Sequence, residues 1–267
     1  MKATPISWME LAVGRFEMPV AFTEMIWDKD LRVQGASLAL GVRNRGNLER
    51  AAVTGLFSRA SHALDDGGDD FFADTGVEMT TISGELAFKS GQSGSLQLVG
   101  SWVEWSKIRN MEVPLRRQNP RIAGQYVREE YQVFDAVARL TVGGAMPLQL
   151  VANMSWNVGD DPGTLALITH PNGQKGLWLA AVLGALDSSR ARAEYTYASV
   201  DRDATLAAYN ADDFFWGTGW SGHRAELASR TRANTTIHLI GEWVKFKDSG
   251  IVAERDHTVQ RYRMELR

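Results

Sequence analysis

The chain has 267 residues, no cysteine and a formal net charge of −3 at pH 7. It can therefore form neither a disulfide nor a thiolate metal site, and its charge is too small to indicate a nucleic-acid partner. No run of about 18 apolar residues occurs, so the sequence offers no transmembrane helix.

Twelve segments are predicted strands, and most alternate between apolar and polar residues, which is the period of a β-strand whose two faces meet different surroundings. Residues 177–185 are almost wholly apolar, so the facing of that strand stays open. In the second segment Ala36, Leu38 and Leu40 share one parity, while Ser37 and Arg43 share the other. The predicted strands cover residues 8–16, 35–43, 50–61, 79–89, 95–105, 132–142, 148–156, 177–185, 190–197, 224–230, 237–243 and 257–267.

The connections between these segments alternate in length. Residues 44–47 and 90–94 are short turns rich in glycine, whereas residues 65–76 and 108–130 are long and charged. This rhythm is typical of an up-and-down outer-membrane barrel, with long extracellular loops and short periplasmic turns. A soluble sandwich shows the same alternation within its strands but has no reason to keep this loop phase. The sequence therefore predicts one all-β domain over residues 1–267, an antiparallel transmembrane β-barrel of about 12 strands with both ends in the periplasm.

Charge is concentrated on the polar parity of these strands. Lipid offers backbone groups no hydrogen-bond partner, so a membrane sheet closes on itself and presents its apolar parity to the acyl chains. Because Arg or Lys at the bilayer midplane costs about 2–4 kcal/mol, the charged parity is expected to face a water-filled lumen. The expected pore-lining residues are Arg50, Glu85, Asp135, Arg139, Arg190, Arg192, Glu194, Arg224, Glu226, His238, Glu242, Arg261, Arg263 and Glu265.

Two long loops of opposite charge are candidates for a constriction. They contain Asp65, Asp66, Asp69 and Asp70 in one loop, and Arg116, Arg117 and Arg121 in the other. Facing each other inside the lumen, they would create a transverse field that controls ion preference. The alternative is that both are solvated surface loops.

Two regions resemble a family of bacterial porins. Residues 10–19 (ELAVGRFEMP) and 25–35 (MIWDKDLRVQG) are similar to the family's opening pattern GR…P…WD.DL…G. Residues 193–214 (AEYTYASVDRDATLAAYNADDF) are similar to its pattern Y.Y…DA.L.A…SDF, and the glycines and histidine of residues 217–223 continue it. The resemblance implies an outer-membrane barrel that acts as a diffusion pore and has no catalytic residues.

The two ends of the chain depart from this family. The last residues, YRMELR, lack the terminal aromatic residue that outer-membrane barrels usually present to their assembly machinery, and the start lies early in the family's pattern. The first 16 residues also lack the continuous apolar stretch of a signal peptide. We therefore expect a trimmed or redesigned barrel without its upstream strands and signal.

The expected function is passive diffusion of ions and small polar solutes through the outer membrane of a Gram-negative bacterium. Expected partners are membrane lipid or lipopolysaccharide and the solutes themselves, with a homotrimer as a possible assembly and no nucleic acid. No cofactor or metal is expected, because the five histidines do not have metal-ligand spacing. They are His62, His170, His223, His238 and His257.

Two other functions are compatible with a barrel. An outer-membrane lipid hydrolase needs a nucleophile and a base on the outer face, and Ser221 and His223 are close in sequence. Such catalysis also needs an oriented base and an oxyanion site, which no residue pattern marks. A scaffold barrel around a partner's electron carrier is the second alternative.

Overall fold

The computed structural model describes part of the chain. The described residues are 2–64, 77–91, 94–108, 119, 121–122, 125–126, 128–159, 173–187, 189–210, 214, 217–231, 235–247 and 258–266. Their regular structure is β, apart from one short 3-10 turn at Ala207–Tyr209. No helix among them is long and apolar enough to cross a membrane.

Among the described residues, thirteen strands form one antiparallel sheet in up-and-down order, which confirms the predicted all-β class and strand connectivity. The strands are β1 Lys2–Ile6, β2 Met9–Glu17, β3 Arg32–Arg45, β4 Leu48–Leu64, β5 Glu78–Ser90, β6 Gly94–Ser106, β9 Tyr131–Val142, β10 Leu148–Asn157, β11 Lys175–Leu183, β12 Ala191–Val200, β13 Trp220–Arg230, β14 Thr236–Phe246 and β15 Thr258–Leu266. A separate ribbon pairs β7 Arg121–Ile122 with β8 Gln125–Tyr126.

Two details of the predicted architecture differ from the structure. The sheet has thirteen strands because β1 pairs with β2 through an irregular register, and with an odd count the two edge strands point the same way. The prediction that both chain ends lie on one side is therefore wrong for this sheet. Within the described residues β1 and β15 are free edges, so the sheet is not closed.

Tight turns connect the strands at one end of the sheet, which we call the turn end, and longer connections lie at the opposite loop end. Asn44 and Gly46 adopt left-handed φ values of 54° and 59° between β3 and β4. Such values favour Gly and Asn, so the sequence of this turn fixes a sharp reversal. Gly91 has the same role between β5 and β6, with φ of 65°.

The two faces of the sheet differ in chemistry as the alternation predicts. One parity carries large apolar groups that are exposed, such as Val53 at 58% and Leu227 at 59%. The other parity carries polar and charged groups that are buried, such as Arg224 at 7% and Glu242 at 1%. We call these the outer face and the inner face. This is the reverse of a water-soluble sheet, in which the apolar face is the buried one.

A hydrophobic cluster fills the loop end of the inner face. It includes Val33 of β3 and Val244 of β14, two strands from nearly opposite edges of the sheet. Strands this far apart can share one cluster only if the sheet curves around it. At its centre Tyr209 stacks on Trp27, with ring centroids 5.2 Å apart, and on Trp105, at 6.1 Å.

Candidate pore lining

Ion pairs on the inner face connect β12 to β15. Glu226 accepts a hydrogen bond from Arg224 at 2.7 Å and lies 2.7 Å from Nδ1 of His238. Glu242 accepts from Nε of Arg261 at 2.6 Å and from Nη2 of Arg263 at 3.0 Å. The strand alternation brings these groups to one face, and the antiparallel register places opposite charges beside one another.

A second polar chain runs across β2 to β9 on the same face. Arg50 contacts Glu10 at 3.2 Å and Glu85 at 2.8 Å, and Glu10 also pairs with Arg43. Glu85 accepts from Gln97 at 2.6 Å, and Gln97 in turn accepts from Arg139 at 3.1 Å. The inner face therefore carries a nearly continuous band of charge-assisted contacts on the turn side of the hydrophobic cluster.

Most of the residues predicted to line a pore lie on this inner face. Arg190 departs from the prediction: it precedes β12, adopts a left-handed φ of 56° and is exposed in the turn. Asp135 is on the inner face but buried at 2%, where Asn153 donates to its carboxylate. The remaining twelve are Arg50, Glu85, Arg139, Arg192, Glu194, Arg224, Glu226, His238, Glu242, Arg261, Arg263 and Glu265.

The connection between β2 and β3 lies against the inner face, and we call residues 18–31 the inward segment. Arg139 donates to the carbonyl oxygens of Ala21 at 2.9 Å and Phe22 at 2.8 Å. The Thr23 hydroxyl donates to Asn153, 130 positions away in the chain. These residues lie between the predicted strands 8–16 and 35–43, and their apolar side chains without strand periodicity are the sequence signal of their burial.

A second connection, residues 201–210, covers the loop end from the other side. Asp203 accepts from Arg128 at 3.1 Å and from the Tyr131 hydroxyl at 2.8 Å. The Asn119 side chain donates to the backbone oxygens of Arg202 at 2.7 Å and Thr205 at 2.9 Å. These contacts fix Tyr209 above Trp27 and so hold the hydrophobic cluster in place.

Among the described residues, two cavities of the interior lie beside the inward segment. One, of about 580 Å³, lies between the inward segment and β9–β12, and we call it the β9–β12 cavity. Its wall includes Lys29 and Asp30 at the loop end and Gln149 and Arg192 near the turn end. The other, of about 540 Å³, lies beside β2–β5 and has Glu10, Arg43, Arg50 and Glu85 in its wall.

The predicted constriction cannot be compared with these cavities. Asp65, Asp66, Asp69, Asp70, Arg116 and Arg117 lie outside the described residues, as does the side chain of Arg121. In the part of the chain that the structure describes, the interior is narrowed by the inward segment.

The outer face carries an apolar belt. On β9 the outward residues from Phe134 to Val142 span eight steps, roughly 26 Å along the strand. For strands tilted by about 40°, this corresponds to roughly 20 Å of depth, close to the ~25 Å apolar band of outer-membrane barrels. The charged residues of the outer face, such as Arg59, Glu104 and Lys245, lie near the strand ends.

Ser221 and His223 lie on the outer face near the loop end. The Nδ1 atom of His223 is 2.7 Å from the Tyr195 hydroxyl, and its ring packs against Tyr197 at 5.1 Å. Within the described residues no hydrogen bond joins Ser221 to His223, so the pair does not form the nucleophile–base contact of a hydrolase. Among the described residues, no group of three His, Asp or Glu side chains could hold a metal ion.

The chain was also compared with known proteins. A scan against models of protein families finds none that matches it, and a search of curated proteins finds no significant relative. The resemblance to bacterial porins therefore rests on the short sequence patterns described above.

Proposed function

We propose that this chain is the wall of an outer-membrane pore through which ions and small polar solutes diffuse passively. The observation that carries the proposal is the partition of the two faces. Large apolar side chains such as Leu227 are exposed on one face, while charged side chains such as Glu242 are buried on the other. A bilayer is the solvent that stabilises the first face, because each exposed apolar group is then removed from water.

The inner face supports a polar path. Its ion pairs are arranged along strands that curve around a common interior, and hydrated charged walls favour the passage of polar solutes. The hydrophobic cluster closes much of the loop end, so the proposed route is the β9–β12 cavity, whose wall has residues near both ends of the sheet. Closure of the sheet belongs to this proposal, since unpaired edge strands are unstable in lipid.

Trp27 provides the test, because its buried indole lies in the wall of the β9–β12 cavity and stacks on Tyr209. In planar bilayers the refolded protein is expected to produce discrete conductance steps, and Trp27→Ala to raise the step size by about 1.5-fold, since pore width limits conductance. Heat-modifiable gel mobility would verify that each variant has folded into a closed sheet.

The matched control is Trp243→Ala on the outer face, where the indole packs at 5.9 Å against Tyr262. This variant removes the same side chain without changing the proposed route, so its step size should equal that of the unaltered protein. Folded protein that gives no conductance steps would contradict the proposed pore. Equal steps in the Trp27 variant and the control would contradict the proposed route.

A further inference from the structure

We propose that the β9–β12 cavity binds a monocarboxylate with a compact apolar body, and that Arg139 holds its carboxylate. This inference rests on the proposed function, since it names the solute class that the same route would favour. The cavity volume of about 580 Å³ is within the ~300–1,000 Å³ range of small-molecule sites.

The wall of this cavity has apolar and charged parts. Its apolar surface comes from Val20, Phe22, Val151, Trp178, Ala180 and Val182. Among its charged residues, Lys29 pairs with Glu24 at 3.5 Å, Arg32 with Glu17 at 3.6 Å, and Arg192 with Glu194. The other two charged residues of the wall are Arg139 and Asp30, and Asp30 is exposed at the loop end.

Arg139 forms no salt bridge with a carboxylate among the described residues. Its Nη1 donates to Ala21 and Gln97, and its Nη2 donates to the oxygen of Phe22. A guanidinium has five N–H donors, so these contacts leave Nε–H and one Nη2–H. That edge is a two-pronged donor whose geometry matches a carboxylate.

The carboxylates of Asp135 and Glu85 lie on strands close to Arg139 but form no salt bridge with it among the described residues. Asp135 accepts from Asn153, and Glu85 contacts Arg50 at 2.8 Å and accepts from Gln97 at 2.6 Å. The Arg139 guanidinium therefore has no ion-pair partner within 4 Å among the described residues, whereas the other cations of the wall are ion-paired. A solute with a carboxylate and an apolar body would contact both the Arg139 guanidinium and the apolar part of this wall.

The second cavity, which lies beside β2–β5, differs in the pairing of its arginines. Its arginines, Arg43 and Arg50, both contact Glu10, and Arg50 also contacts Glu85. These two guanidinium groups are thus matched by carboxylates at hydrogen-bonding distance, and the third cation of the wall, Lys2, is exposed. The carboxylate preference is therefore assigned to the side of the inward segment that faces Arg139.

Calorimetric titration of the refolded protein in zwitterionic detergent would test this, with benzoate, acetate and benzyl alcohol as probes. Benzoate should bind at least about tenfold more tightly than either acetate, which lacks the apolar body, or benzyl alcohol, which lacks the charge. Arg139→Met should weaken benzoate binding by about tenfold or more and leave benzyl alcohol unchanged.

Thr205→Val is the matched control, because it removes another hydrogen bond to the inward segment, the one to the backbone oxygen of Met25 at 3.4 Å, but lies outside the cavity wall and keeps the arginine. Its benzoate affinity should stay within about twofold of the unaltered protein's. Equal loss in both variants would mean that Arg139 only positions the inward segment, and equal affinity for benzoate and benzyl alcohol would overturn the site. Benzoate binding without bilayer conductance would keep the site and reject the pore, whereas conductance without benzoate binding would do the opposite.

Discussion

Replacing Leu38 with arginine is expected to destabilise the membrane-inserted sheet by about 2–4 kcal/mol, and Val42→Arg by only about 0–1 kcal/mol. The two residues lie on the outer face of β3, four positions apart, with nearly equal exposed fractions of 39% and 43%. They differ in depth: Leu38 is near the middle of the apolar belt and Val42 is beside the turn. A guanidinium at mid-depth must lose its hydration or deform the bilayer, whereas one at the boundary reaches water.

Urea-dependent unfolding from lipid vesicles, followed by tryptophan fluorescence, would measure the two free energies. The comparison of the two variants is informative because their nearly equal exposed fractions alone would predict equal changes in the free energy of unfolding. In a sheet surrounded by water, arginine at either position would be solvated and both variants would unfold within about 0.5 kcal/mol of the unaltered protein. Similar small effects at both positions would therefore contradict the assignment of the outer face to lipid.

Removing the cation of the buried pair Arg128–Asp203 is expected to destabilise the fold by about 3–5 kcal/mol. The two side chains are 1% and 3% exposed and lie 3.1 Å apart. Arg128→Met leaves the Asp203 carboxylate buried without its main counter-charge, although the Tyr131 hydroxyl still donates to it. The connection over the loop end should then loosen, and the hydrophobic cluster around Tyr209 should lose its cover.

Urea unfolding and proteolysis of residues 201–210 would report this change. The control is Arg230→Met, which removes an exposed pair with Asp187 at 2.8 Å between side chains that are 36% and 91% exposed. Surface pairs contribute about 0–1 kcal/mol, so this variant should behave almost like the unaltered protein. Comparable losses from the two variants would show that burial of the Arg128 pair does not strengthen its contribution.

Strand positions and faces could be predicted from the sequence because both depend on local periodicity. The strand predicted at residues 148–156 is observed as Leu148–Asn157, and the outward and inward parities of β3 are as predicted. β1 was missed because KATPI is short and does not alternate clearly. Arg190 was predicted to line the pore because the strand alternation was extended one residue beyond β12, into the turn.

The contents of the interior could not be predicted in the same way. The bonds from Arg139 to the inward segment join residues 118 and 117 positions apart, and the Arg128–Asp203 pair joins residues 75 positions apart. Such contacts depend on the curvature of the whole sheet, which no local pattern encodes. The acidic and basic loops were predicted to form a constriction because of their charge, whereas the apolar inward segment was not predicted to lie in the interior.

The proposed pore requires an outer face in contact with lipid and an inner face that contacts water on the turn side of the hydrophobic cluster. Because the chain has no cysteine, a single introduced cysteine on β10 can carry a spin label at a known position. In vesicles, labels at Leu150, Ala152 and Met154 should collide with dissolved oxygen and be shielded from a water-soluble nickel chelate, with the opposite preference at Gln149 and Val151. Equal access of the chelate to both sets of positions would contradict the account.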